Sequence, residues 1–242
     1  WDNGRVSSLE PSRRDTRLDS HIDQYADRTG SMTVSAVRAL FSVANRPEVV
    51  SLAGGMPNIA DLPLAELGES FNQLVRGNGI QAMQYGSGQG ELFMREKICE
   101  VMAEEAIAAN PDDVVITCGS QQALDLVTRI FVDPGDVVLC EAPSYVGAMG
   151  TFNSYQARIH HVAMDEHGLV PQALAQAIVA LRAAGQKVKF LYTIPNFNNP
   201  SGITQPLERR RELLAVAREY GLLVVEDNPY GLLTIEGDPL AA

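Results

Sequence analysis

The sequence predicts an α/β fold, a mainly parallel sheet sandwiched by helices. Three observations predict it. Residues 189–193 form a short apolar run that opens onto a polar loop with Pro195 and Pro200. From Pro206 the apolar residues Leu207, Leu213, Leu214 and Ala217 recur at helical spacing until Gly221, and residues 222–225 are a second apolar run ending in Glu226 and Asp227. Two parallel strands joined through a helix place the loops that follow them on one sheet edge, where open α/β sheets bind ligands. The second observation is residues 113–117 (DVVIT), which run through CGSQQ into another helical pattern. The third is size: 242 residues, 45% hydrophobic and 20% charged, have room for one large α/β domain and a smaller piece.

In chain order, residues 1–30 read as a polar arm. Val34, Val37, Leu40 and Phe41 predict a helix over 31–45, with Ser31 or Thr33 available as its cap. In VVSLAGGMPN, residues 49–58, a strand runs into Gly54 and Gly55, either a plain turn or a close approach of backbone to ligand. Residues 64–77 predict a helix. The glycines Gly86, Gly88 and Gly90 are no dinucleotide fingerprint, because no apolar strand precedes them and their spacing is GxGxG. Residues 91–108 predict an amphipathic helix, 113–117 a strand and 123–131 a helix.

Between the last two, a glycine turn into a helix start leaves the backbone N–H groups of Ser120, Gln121 and Gln122 pointing outward. The helix dipole adds about half a positive charge there. That is a phosphate cup, or else a helix capped by Ser120. DPGD at 133–136 is a turn, and 137–140 a strand leading into EAPSYVG. Tyr145, beyond that strand's carboxyl end, either stacks on a flat heterocycle, worth about 1 kcal/mol beyond area burial, or packs in the core. Residues 158–162 predict a strand whose His160 and His161 face opposite ways, HGLVP a turn, and 172–184 a surface helix.

A net charge of −11 argues against a nucleic-acid surface, since phosphate backbones need clustered Lys and Arg; Arg13 with Arg14, and Arg209 to Arg211, read as solvated faces. Cys99, Cys118 and Cys140 are too few and scattered for a disulfide framework, and without a CxxC pair no zinc site is expected. Buried or half-buried thiols in a reducing compartment are expected instead. No apolar run is long enough to span a bilayer and the first thirty residues carry no leader pattern, so the expected location is cytoplasmic.

NNPSG, followed by a strand ending in EDNPY, resembles the fold type I pyridoxal-phosphate (PLP) aminotransferases of class I/II. Within them it is most similar to the 2-aminoadipate and kynurenine aminotransferase subgroup, over about residues 31–240. The resemblance implies an arm and small-domain segment in 1–60 and a large cofactor-binding domain in 61–242, incomplete at its C-terminal end. It implies that Gly119, Ser120 and Gln121 hold the cofactor phosphate and that Tyr145 covers one face of the pyridine ring. Asp227 would meet the ring nitrogen, and Asn199 and Tyr230 would donate to the phenolic oxygen. Gly55 would lie against the substrate with Asn199, and Tyr85 would reach the partner subunit's phosphate, making a homodimer with shared active sites a working requirement.

The implied activity moves the amino group of an α-amino acid to a 2-oxo acid such as 2-oxoglutarate. Alternatives are a PLP β-lyase or decarboxylase, and the aminotransferase-like effector domain of a winged-helix transcription regulator. The chemistry needs a Schiff-base lysine. The chain has only Lys97, Lys187 and Lys189, none matching the family position a few dozen residues after the Asp227 segment. The expectation is the front part of a longer polypeptide, inactive by itself.

Overall fold

A computed structural model describes residues 21–32, 46, 48–50, 59, 61–233 and 240–241. The expected helix at 31–45 and the glycine turn with Gly55 lie outside these residues, apart from Ser31, Met32 and the flanking 49–50. Two 3-10 turns, Ile22–Gln24 and Asp27–Ser31, open the described part. Helices α1 (Leu64–Ala82) and α2 (Leu92–Ala103) follow. The predicted strand at 113–117 is absent: a 3-10 turn covers Pro111–Asp113, and the extended residues after it make one ladder-like bond, Ile116 N to Gln89 O at 2.9 Å. A strand needs a neighbour to take its remaining backbone groups, and the described residues supply none.

Beyond this point the prediction largely holds. Helix α3 (Ser120–Phe131) leads into β1 (Val137–Ala142), then come helix α4 (Val146–Ser154), which the sequence reading missed, and β2 (Arg158–Asp165). The expected HGLVP turn contains a short strand, β3 (Gly168–Leu169), antiparallel to β2. Helix α5 (Pro171–Ala183), β4 (Val188–Thr193), α6 (Leu207–Glu219) and β5 (Leu223–Glu226) complete the described elements. The sheet order is β3-β2-β1-β4-β5, with β1 parallel to β2 and β4, and β4 parallel to β5. A central strand covered on both faces reads as a near-continuous apolar run, and Val137 to Cys140 of β1 are each 1% exposed or less.

Strand alternation splits the core. Val138, Cys140, Phe190 and Tyr192 face Leu124 of α3 and Ala148 and Phe152 of α4. Val137, Leu139 and Leu191 face Leu174 and Ile178 of α5 and Leu213 and Ala217 of α6. Burial of one such side chain stabilises by about 1.5–3 kcal/mol, so each face is covered by its own pair of helices. Helix α1 differs: it buries no residue, and Leu64, Leu67, Phe71 and Leu74 form an exposed apolar stripe. None of the helices among the described residues is long and apolar enough to cross a membrane.

Candidate active site

Helix α3 enters β1 through residues 132–136, so its N-terminus lies at the carboxyl edge of the sheet. Helix α4 begins there too, directly after β1. Both pack on the Tyr192 face, and Val225 of β5 joins the same cluster. Asp227 lies two residues beyond Val225, so its side chain falls on that face as well. Parity and connectivity therefore bring the start of α3, Tyr145 at the start of α4, and Asp227 to one edge on one face.

At the start of α3, Gly119 occupies the cap position with φ 74° and ψ 166°, and no side chain caps the helix. That excludes the capping role for Ser120. The Gln122 amide donates to Gly119 O at 3.2 Å, so it is not among the outward-pointing donors. Ser120 and Gln121 amides find no acceptor among the described residues. Gln121 donates through its side chain to Thr151 Oγ1, tying α3 to α4, and Gln122 Oε1 accepts from Cys118 N at 2.5 Å. An added Cβ at Gly119 would meet nothing within 4 Å, so the space beside the two amides is open.

Tyr145 is half-buried and packs against the Leu124 and Phe152 cluster, as the core reading expects. Asp227 is half-buried; its amide donates to Thr193 O at 2.9 Å and its Oδ2 accepts from Tyr192 Oη at 2.6 Å. Oδ1 makes no hydrogen bond among the described residues. Tyr230 lies in the turn after β5, half-buried, and Asn199 is exposed in the loop after β4. Tyr85 is 99% exposed in the link between α1 and α2. Gly55 lies outside the described residues.

The loop after β4 is held from beneath by a residue that sequence reading missed. Glu141, on the opposite face of β1 from Cys140, is fully buried. It accepts from Thr193 Oγ1 (2.6 Å), Ile194 N (3.0 Å), Asn198 Nδ2 (2.7 Å) and Gln205 Nε2 (2.7 Å). Burial pushes the Glu141 carboxyl above the ordinary range, and the four donors offset part of that. A charged residue closing an apolar run was the signal. Tyr192 was also missed, because within an apolar run an aromatic reads as core. Next to the loop, Arg210 is buried and donates to Asn196 Oδ1 and Gln205 O.

The lysines lie elsewhere. Lys189 pairs with Asp136 at 3.0 Å at the amino edge of the sheet, and Lys97 pairs with Glu100 at 2.8 Å on α2. The cysteines are free: Cys140 is buried, its thiol pushed up to about 12 by burial, and Cys99 is half-buried. Cys118 departs from the expectation, being exposed in the loop before α3.

The family model for aminotransferase class I and II matches residues 47–241. Aromatic-amino-acid aminotransferase 1 of Thermococcus litoralis is 37% identical over 217 residues, covering 89% of this chain and 52% of the relative. The 2-aminoadipate transaminase of Thermus thermophilus is also 37% identical, covering 87% and 51%. The chain thus spans about half the length of the curated relatives it matches. Among solved structures, Pyrococcus horikoshii kynurenine aminotransferase, solved with PMP, KYN as substrates and KYA as products, aligns with a TM-score of 0.84 at 36% identity over 93% of this chain and 55% of its own.

Proposed function

Since the chain belongs to the class I and II aminotransferase family, we propose that the whole protein is a PLP-dependent aminotransferase that passes the amino group of an α-amino acid to a 2-oxo acid such as 2-oxoglutarate. The observation that carries this is the convergence of an open helix start and the Asp227 carboxylate on one face of one sheet edge. The donor set fits the cofactor. Two amides without acceptors suit a phosphate, a half-buried tyrosine suits a flat ring, and a carboxylate with one oxygen free suits a protonated pyridine nitrogen. The P. horikoshii relative's PMP supports the same reading.

Bound PLP supplies an electron sink for the substrate's Cα electrons. The chain's residues serve it as follows. Ser120 and Gln121 amides, with Gly119 giving room, bind the phosphate, and Tyr145 covers one ring face. Asp227 holds the proton on the ring nitrogen, a charge-assisted contact worth about 1.5–3 kcal/mol. Asn199 and Tyr230 donate to the ring's phenolic oxygen, and Gly55 and Asn199 lie toward the substrate. In this reading residues 61–242 belong to the cofactor domain, 1–60 to the arm and small domain, and the enzyme is cytoplasmic.

The exposed stripe of α1 and the fully exposed Tyr85 support a homodimer in which Tyr85 reaches the partner's phosphate. Relatives acting on aromatic amino acids, 2-aminoadipate and kynurenine support a broad donor range. The test is Asp227→Ala in the whole protein, assayed with amino acids and 2-oxoglutarate. Loss of glutamate formation with PLP still bound is expected; unchanged turnover, or ammonia or CO₂ as product of the parent, overturns the proposal.

A further inference from the structure

We propose that Tyr192 is a positioning residue: its buried hydroxyl fixes the Asp227 carboxylate so that Oδ1 alone is presented to the cofactor's ring nitrogen. The inference rests on the reading of Asp227 given above. Tyr192 is fully buried in β4, and its ring is held edge-on by Phe152 of α4, centroids 5.4 Å apart at 74°. Phe152 is held in turn by Phe190, at 5.6 Å and 72°. A hydroxyl on a ring locked in this way cannot follow a carboxylate that rotates. The 2.6 Å bond to Oδ2 and the Asp227 amide on Thr193 O anchor the aspartate at side chain and backbone.

The donor is permanent. Burial first, and the Asp227 carboxylate second, push the Tyr192 phenol far above its ordinary range, so it keeps its proton at any pH at which the enzyme works. The mutual placement follows from register: Tyr192 pairs with Val225, and Asp227 is the next residue on that face. A carboxylate free to swing would spend part of its time away from the ring nitrogen. Locking it contributes preorganisation, the main protein term in stabilising developing charge.

The experiment is a double-mutant cycle in the whole, PLP-loaded protein with Tyr192→Phe, Asp227→Asn and both together. The readouts are kcat, PLP affinity and the pH midpoint of the 15N resonance of ring-labelled PLP. Tyr192→Phe keeps the aromatic packing, so fold and PLP affinity are expected to hold. kcat is expected to fall about tenfold, with the nitrogen's midpoint lower by about one pH unit. In the Asp227→Asn background Tyr192→Phe is expected to do nothing further. An unmoved midpoint with unchanged kcat, or an equal loss in both backgrounds, overturns the role of Tyr192 while leaving Asp227 in place. If Asp227→Asn itself leaves kcat and the midpoint unchanged, the reading of Asp227 falls and takes this inference with it.

Discussion

Glu141 shows how much one residue can carry away from the chemistry. Its two oxygens accept four donors, three from the segment that leads to Asn199 and one from Gln205 after it, and no Lys or Arg pairs with it among the described residues. Glu141→Gln would replace one acceptor oxygen by an NH₂ group facing donors, so a loss of about 1–3 kcal/mol is expected in urea unfolding of the whole protein. PLP affinity would fall with it if the loop positions Asn199. Gly147 makes a second residue-scale prediction. A Cβ there would lie 2.4 Å from the Tyr145 hydroxyl oxygen, so Gly147→Ala must displace the ring. Weaker PLP binding with little change in unfolding midpoint is the expected result, read by cofactor titration. Glu141 left one local signal, a charge closing an apolar run, while Gly147, in an unrecognised helix, left none. Their partners are distant in sequence or defined by side-chain direction. Asp227 and Ser120 were legible, because strand ends and helix starts are local patterns.

At the scale of elements, helix α3 carries the proposed anion site and helix α1 an exposed apolar stripe. Gly119 holds φ 74° and ψ 166°, a region that only glycine adopts without strain. Gly119→Ala is expected to cost about 1–3 kcal/mol and to weaken binding of PLP more than that of pyridoxal, measured side by side; equal losses would remove the phosphate from α3. On α1, Leu67, Phe71 and Leu74 lie on one stripe and are each about half exposed. The proposed dimer makes a direct prediction: Phe71→Asp is expected to give a monomer in sedimentation where the parent sediments as a dimer, and to lower activity; a parent that sediments as a monomer overturns the dimer. The strand expected at 113–117 failed for an elemental reason. Its sequence has strand character, but a strand exists only as half of a pair, and pairing is not written in the segment itself.

For the whole molecule, the sheet separates two edges with different work. The amino edge is tied by Lys189 and Asp136, where burial pushes the Asp136 carboxyl up but the Asp133 amide and the Lys189 ammonium outweigh it, holding it below the ordinary range. A depressed carboxylate contributes stability above its unfolded value, and that stability is lost as pH falls through its folded value. Asp136→Asn is therefore expected to unfold earlier than the parent at neutral pH, the gap closing below about pH 4 in urea melts. The carboxyl edge gathers the candidate site. By itself the sequence determined the α/β class, most element positions, and Asp227, Ser120, Tyr145 and Asn199 as candidates, since periodicity, caps and short motifs are properties of neighbouring residues. Only the tertiary structure decided that Tyr192 grips Asp227, that Glu141 supports the loop, and that two amides rather than three stay open at α3. Those facts depend on which strands pair and in what register, which sets side chains dozens of residues apart within 3 Å of each other.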